Sequence, residues 1–119
     1  MSNYTAEDER LINKAWEELL ESCKKICKGE DDWNFIKRAF FLAKEAHAGV
    51  RRRSGEPYLL HPIAVAQIVI NEIGLGVKSV VAALLHDVVE DTDYTVEDIE
   101  HIFGAKVASM VDGLTKMSG

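Results

Sequence analysis

A histidine and an aspartate stand side by side, at His86 and Asp87, near the end of the strongly apolar segment VKSVVAALLHDVVED. Burying two ionisable groups raises the free energy of the folded state unless a partner compensates their charge, and a divalent cation is such a partner. Imidazole nitrogen combined with carboxylate oxygen suits manganese, iron or zinc better than calcium, which prefers oxygen ligands throughout. The pair therefore predicts a metal site.

Two further carboxylates, Glu90 and Asp91, follow this pair at helical spacing. On an ideal helix Glu90 lies about 40° from His86, and Asp91 about 40° from Asp87, because each pair is four residues apart. A metal held by the first pair would leave Glu90 or Asp91 placed to orient or deprotonate a water molecule. The alternative is that His86 caps its helix and the carboxylates form a solvated acidic end, although carboxylates there oppose the helix dipole.

Three other histidines are candidates to complete such a site. His61, just before Pro62 at the start of a helix, can bring a second imidazole from a different element, although a lone histidine before proline is more often a structural hydrogen-bonding residue. His47, at a helix end, is expected to be structural or to anchor the following loop. His101 is expected on the surface, so neither of these two is a first choice as a ligand.

Arg51, Arg52 and Arg53 precede Ser54 in a chain that is otherwise acidic. Arginine side chains bind phosphate through two parallel hydrogen bonds and stack on bases, so one or two of them could hold an anionic nucleotide next to the metal. A solvated basic loop explains the same run of residues equally well.

The elements that must position these residues all have a helical pattern. Apolar residues recur at steps of three and four, capping patterns begin at Thr5 (T-A-E-D) and Thr95 (T-V-E-D), and no pair of strands with hairpin residues is found. We predict an all-α fold of about five or six helices, with the third helix central. The helices are expected from Thr5 to near Gly29, from Phe35 to His47, from Pro62 to before Gly74, over 77–91, from Thr95 to Gly104, and for a turn or two within 105–114, with an ordered loop between Gly49 and His61.

Composition narrows the functional class. The 119 residues carry 14 basic and 20 acidic side chains, and this formal net charge of −6 argues against binding along a nucleic-acid backbone. No apolar run approaches the ~20 residues of a membrane span, and the start lacks the features of a signal peptide, so we predict a cytoplasmic protein without a membrane partner. Cys23 and Cys27 are one helical turn apart, a poor geometry for a disulfide, and are expected to be reduced and partly buried.

Three longer motifs, RRRSGEPYLLHP, ALLHDVVEDTDYT and FGAKVASMVDGLTK, closely resemble the hydrolase domain of the RelA/SpoT family over most of the chain, from about Phe40 onwards. The resemblance implies an HD-type helical bundle that binds one manganese ion. The activity it implies is that of a guanosine-3′,5′-bis(diphosphate) 3′-pyrophosphohydrolase, which removes pyrophosphate from (p)ppGpp, the alarmones ppGpp and pppGpp, by water that the metal activates.

The resemblance also assigns roles to individual residues. His61, His86 and Asp87 match the metal ligands of the family, and Glu90 and Asp91 match the acidic pair that handles the attacking water. In the arginine loop, Arg52 matches an arginine that contacts the guanine base and Ser54 a serine near the nucleotide. The roles of Arg51 and Arg53 remain open.

One part of the family's pattern is missing. The resemblance implies a fourth metal ligand, an aspartate in a later A-D-R-L-H-N-like motif, and the sequence reaches Gly119 without it; Asp112 belongs to a different motif. We therefore expect residues 1–119 to be a single HD-type hydrolase domain, truncated at the C-terminus, that binds metal weakly and turns over little or no substrate alone. Apolar surface exposed by the missing helices would favour association between copies.

Two other functions remain open. The chain could be a non-catalytic nucleotide-sensing module of a bifunctional alarmone synthetase/hydrolase, although the intact acidic residues speak against it. It could also be an HD phosphohydrolase for another nucleotide, since a scaffold alone does not choose its substrate.

Overall fold

The two capping patterns read from the sequence each start a helix in the computed structural model, which describes residues 4–118 and the side chains of residues 4–114. The Thr5 hydroxyl accepts a hydrogen bond from the Asp8 N–H at 3.0 Å, and the Asp8 carboxylate accepts one from the Thr5 N–H at 2.9 Å. Thr95 and Asp98 form the same reciprocal pair at 3.1 and 2.9 Å. Both predicted capping boxes are confirmed.

The described residues form an all-helical arrangement, as predicted. A single isolated bridge between Arg51 and Pro57 is the one β-type pairing in residues 4–118. The helices are α1 (Ala6–Cys23), α2 (Glu30–Ala46), α3 (Leu60–Ile68), which continues as a π-helical segment (Val69–Ile73), α4 (Val77–Asp91), α5 (Val96–Phe103) and α6 (Ala105–Ser118).

Several predicted helix boundaries were wrong. Helix α1 ends at Cys23, six residues before the expected glycine, and α2 begins at Glu30, five residues before the expected start at Phe35. The acidic residues that precede Phe35 form the first turn of α2, where negative charge interacts favourably with the helix dipole. Helix α3 begins at Leu60, two residues before Pro62, and α6 extends for 14 residues. A proline is tolerated in a first turn because its missing N–H would have no partner there.

The central helix is α4, and the prediction that the third helix would be central was wrong. Helix α4 packs against α2, α3 and α6, whereas α1 packs on α3 and α5 on α6. Its run of buried residues from Val80 to Leu85 covers most of its circumference, which allows contact with neighbours on several sides. By contrast, Ile68 near the end of α3 remains 46% exposed. The last turn of α4 is therefore anchored by the core.

The cysteines are free, as predicted: Cys23 is buried and Cys27 is half-buried. Within residues 4–118, no helix combines the length and apolar character needed to cross a bilayer. Exposed apolar side chains do occur, including Ile73, Leu75 and Leu114 around a cavity of about 420 Å³ between α3, α4 and α6. That copies associate through such a surface remains a prediction.

Candidate metal centre

The last two turns of α4 bring His86 and Asp87 to the edge of the core. The His86 ring lies close to the carbonyl of Ala83, with Nδ1 at 2.8 Å from the oxygen. A carbonyl oxygen can only accept, so Nδ1 carries the hydrogen and donates. The opposite nitrogen, Nε2, then faces the Asp87 carboxylate, at 3.1 Å from Oδ1.

This pair is electrostatically coupled. The hydrogen bond that the His86 ring donates to Asp87, aided by the one it donates to the Ala83 carbonyl, raises the pKa of His86 in spite of its burial. Burial of Asp87 opposes its ionisation, yet the hydrogen bond and charge of His86 hold its pKa below the ordinary aspartate range. In the chain without a cation, the two groups therefore favour an imidazolium and a carboxylate.

A second imidazole reaches the same carboxylate from the start of α3. The structure places His61 Nε2 at 3.8 Å from Oδ2 of Asp87. The two oxygens of one carboxylate thus each face a different histidine, and the two histidines come from helices that are distant in sequence. Spacing along the chain could not show this proximity.

The chemistry of this trio fits a divalent transition metal. Asp87 is only 6% exposed, and its Oδ2 is buried without a hydrogen-bond partner among the described residues. A buried carboxylate oxygen without a partner is rare unless a ligand satisfies it. In residues 4–118 no three histidine, cysteine, aspartate or glutamate side chains already converge as a metal-ligand group. The histidine nitrogens lie around the Asp87 carboxylate, but the three side chains do not point to one common position.

Glu90 and Asp91 lie exposed in the last turn of α4, beside this trio. Their charges act on the buried groups nearby, which shows that they are close. Glu90 adds to the effects that raise the pKa of His86, after the larger effect of Asp87. Burial, the charge of Asp87, the proximity of its carboxylate to the Tyr58 hydroxyl and then the charge of Asp91 raise the pKa of Tyr58 to about 12. Sequence analysis did not single out Tyr58.

The arginine loop folds back on itself beside Tyr58. The Tyr58 N–H donates to the Val50 carbonyl at 2.9 Å, and the Arg52 N–H donates to the Glu56 carbonyl at 3.0 Å. Gly55 occupies the turn at φ +91°, a conformation that favours glycine. Ser54 is exposed, and its hydroxyl donates to the Glu56 carboxylate at 3.3 Å.

The three arginines differ in their surroundings. Arg51 forms a two-pronged ion pair with Asp8 of α1, with Nη1 at 3.2 Å from Oδ1, and its Nη1 also donates to the Gly55 carbonyl at 2.8 Å. Arg52 and Arg53 are exposed and form no side-chain hydrogen bond or ion pair within residues 4–114. Among the effects on the pKa of Tyr58, the charge of Arg52 is the smallest and lowers it. Arg51 is therefore a structural residue, and Arg52 is available to a ligand.

His47 was expected to be structural or to anchor the loop, and the structure places it beside the metal centre. Its side chain is fully buried, and its ring centroid lies 5.0 Å from that of Tyr58. Burial lowers the pKa of His47, against the opposing charges of Asp87 and Asp91. The signal was present in the sequence, because His47 continues the buried stripe of α2 through Phe40 and Ala43 at steps of three and four. His101 is exposed, as predicted.

Comparisons with known proteins show the family that the chain resembles. A family model described as an HD domain matches residues 39–119. The chain is 47% identical over 88 residues to the bifunctional (p)ppGpp synthase/hydrolase SpoT of Escherichia coli, a match covering 74% of the chain and 12% of that protein. It is 48% identical over 102 residues to a guanosine-3′,5′-bis(diphosphate) 3′-pyrophosphohydrolase of Vibrio cholerae, covering 83% of the chain and 14% of that protein.

A third relative extends the similarity to almost the whole chain. This chloroplast protein of Arabidopsis thaliana, whose name proposes GTP diphosphokinase activity, is 44% identical over 118 residues, which is 98% of the chain and 13% of the relative. The chain therefore spans between 12% and 14% of the length of these three relatives.

Proposed function

The chain belongs to the HD domain family, and from that premise we propose that it is a divalent-metal-dependent 3′-pyrophosphohydrolase domain for guanosine tetra- and pentaphosphate. One observation carries the proposal: the buried carboxylate of Asp87, with one oxygen facing His86, has its other oxygen unpartnered and facing His61. The names of the bacterial relatives support the choice of substrate.

In this proposal, His61, His86 and Asp87 hold the metal, with manganese as the ion implied by the family resemblance. The ion supplies positive charge and Lewis acidity at the phosphate to be cleaved. The Nδ1 hydrogen bond to Ala83 orients His86 so that Nε2 faces the centre. The core contacts of α4 hold Asp87 in place before substrate arrives.

The acidic pair at the end of α4 serves as the proton acceptor. Hydrolysis of the 3′-diphosphate requires a water oxygen to attack phosphorus while the 3′-oxygen leaves, and the attacking water must lose a proton. Glu90 and Asp91 are exposed carboxylates next to His86 and Asp87, and neither is held in the core. A carboxylate at that position can take the proton and orient the water.

Arg52 and Ser54 bind the nucleotide. Arg52 is exposed, and its guanidinium has no protein partner in the described chain, so it can bind phosphate or stack on the guanine. Arg51 holds the loop in position through Asp8. The substrate thus lies between the arginine loop and the end of α4.

The test replaces the matched segment of Escherichia coli SpoT with the corresponding residues of this chain. Given manganese and guanosine tetraphosphate, the chimera is expected to release pyrophosphate and GDP, and a chimera with both His86→Ala and Asp87→Ala is expected to release none. Release that survives the double substitution, or a folded chimera without release, would contradict the proposal. Competition with ATP and GTP distinguishes an alarmone site from a general nucleotide site.

A further inference from the structure

The imidazole of His47 is fully buried, and neither of its nitrogens has a hydrogen-bond partner among the described residues. A neutral imidazole has one N–H donor and one nitrogen acceptor, and leaving either unsatisfied in the interior is destabilising. The backbone contacts of residue 47 do not explain why this residue is a histidine. Its N–H bonds the Ala43 carbonyl and its carbonyl accepts from Val50, contacts that any residue could make.

Unpartnered polar atoms are concentrated at this place. In the described part of the chain, the buried side-chain atoms without hydrogen bonds are Glu9 Oε1, both ring nitrogens of His47 and Asp87 Oδ2. Glu9 Oε1 is ion-paired with Lys44 at 3.0 Å, so its charge is compensated. The others belong to two residues that neighbouring rings connect. The ring centroid of Tyr58 lies 5.0 Å from that of His47 and 5.8 Å from that of His61, and His61 Nε2 lies 3.8 Å from Asp87 Oδ2. One polar partner lying between them would satisfy both.

We propose that His47 is a positioning residue of the metal centre, whose ring binds a buried water that also binds Asp87 and so fixes the carboxylate for the ion. The inference rests on the proposed function, since it assigns His47 to the same centre. Buried waters commonly bridge about three polar groups that otherwise lack partners. The position of His47 favours water over direct ligation, because His47 is fully enclosed whereas His61 and His86 are partly exposed.

The experiment measures two quantities for each variant of the 119-residue chain: the Mn²⁺ dissociation constant, from the free-ion electron paramagnetic resonance signal, and the melting temperature without metal. His47→Leu is expected to weaken Mn²⁺ binding about 10- to 100-fold, the usual effect of losing an outer partner of a ligand. Its metal-free melting temperature should stay the same or rise, because an apolar side chain in this enclosed site needs no hydrogen-bond partner, whereas the polar ring needs the buried water. The exposed His101→Leu is the matched control and should change neither quantity.

Amide variants then test hydrogen bonding itself. Asn approximates the position of Nδ1 and Gln that of Nε2, so one of His47→Asn and His47→Gln should restore most of the affinity. Spin-echo modulation from bound ¹⁴N should show two directly coordinated imidazoles in both the unmodified chain and the rescued variant.

Any of four results would overturn the inference. In His47→Leu, the Mn²⁺ affinity could be unchanged, or it could fall together with the metal-free melting temperature. Neither amide variant could restore the Mn²⁺ affinity, or the unmodified chain could show three coordinated imidazoles. If the unmodified chain binds no Mn²⁺, the same measurements are made on the SpoT chimera, and absence of binding there refutes the proposed function and this inference with it. Normal binding that His47→Leu leaves intact refutes this inference alone.

Discussion

Replacing Asp87 with asparagine separates a metal-binding role from a structural one. Without metal, the substitution exchanges a charge-assisted hydrogen bond to His86, worth roughly 1.5–3 kcal/mol, for a neutral one worth roughly 0.5–1.5 kcal/mol. It also removes a buried charge whose Oδ2 has no hydrogen-bond partner in the described chain, and such a group costs roughly 1–3 kcal/mol. The two effects nearly cancel. We expect the free energy of unfolding to change by no more than about 1 kcal/mol.

The effect of Mn²⁺ should be much larger. A ligand present at 100 times its dissociation constant stabilises the folded state by about 2.7 kcal/mol. For a chain of 119 residues, 1 kcal/mol corresponds to roughly 4 °C in melting temperature. The unmodified chain should therefore gain roughly 11 °C, and Asp87→Asn should gain almost nothing.

Thermal unfolding followed by circular dichroism, with and without Mn²⁺, measures both quantities. Asp93→Asn is the control, because Asp93 is an exposed aspartate beyond the end of α4 and should leave the Mn²⁺ shift intact. A metal-free loss above about 3 kcal/mol would show that the carboxylate is mainly a structural ion-pair partner. A persistent Mn²⁺ shift in Asp87→Asn would show that the ion binds elsewhere.

Three further predictions concern the surroundings of the centre. Glu90→Gln combined with Asp91→Asn should leave Mn²⁺ affinity within about threefold while lowering pyrophosphate release by the chimera about 100-fold or more; equal loss of both would count against the proton-acceptor role. Arg52→Ala should raise the KM for guanosine tetraphosphate without lowering the melting temperature, and Arg51→Ala should lower the melting temperature; the reverse pattern would exchange their roles. The hydrogen bonds from Arg51 hold the pKa of Asp8 at about 2, below its ordinary 3.8. The stability that this pair adds is therefore present above about pH 4 and should be lost as the pH falls towards 2. Asp8→Asn should lose this acid dependence, and identical pH profiles of melting temperature for the two proteins would refute the prediction.

Features that depend on neighbours in the sequence were predictable. The capping boxes at Thr5 and Thr95 need only residues three positions apart, and the grouping of His86 with Asp87 follows from adjacency. The span of α4 was predicted correctly because glycine before it and its long apolar run mark both ends.

Features that depend on tertiary contacts were not predictable from spacing. The distance between His61 and Asp87 depends on how α3 packs on α4. The three consecutive arginines are indistinguishable in sequence, and only the folding of α1 against the loop assigns Arg51 to Asp8. His47, at a helix end, was interpreted as structural or as an anchor of the following loop, and only the packing of its helix shows that the ring lies in the core.

Asp8 connects the first turn of α1 to the arginine loop, and this connection affects local unfolding. Its carboxylate caps the first turn of α1 and also pairs with Arg51, 43 residues further along the chain. Fraying of α1 past Asp8 therefore releases the arginine loop at the same moment. The amide of Gly55, bonded to the Arg52 carbonyl at 2.8 Å, should then exchange its hydrogen with solvent at the rate of the amides in the first turn of α1. The loop that we propose binds the nucleotide would thus open as often as the first turn of α1.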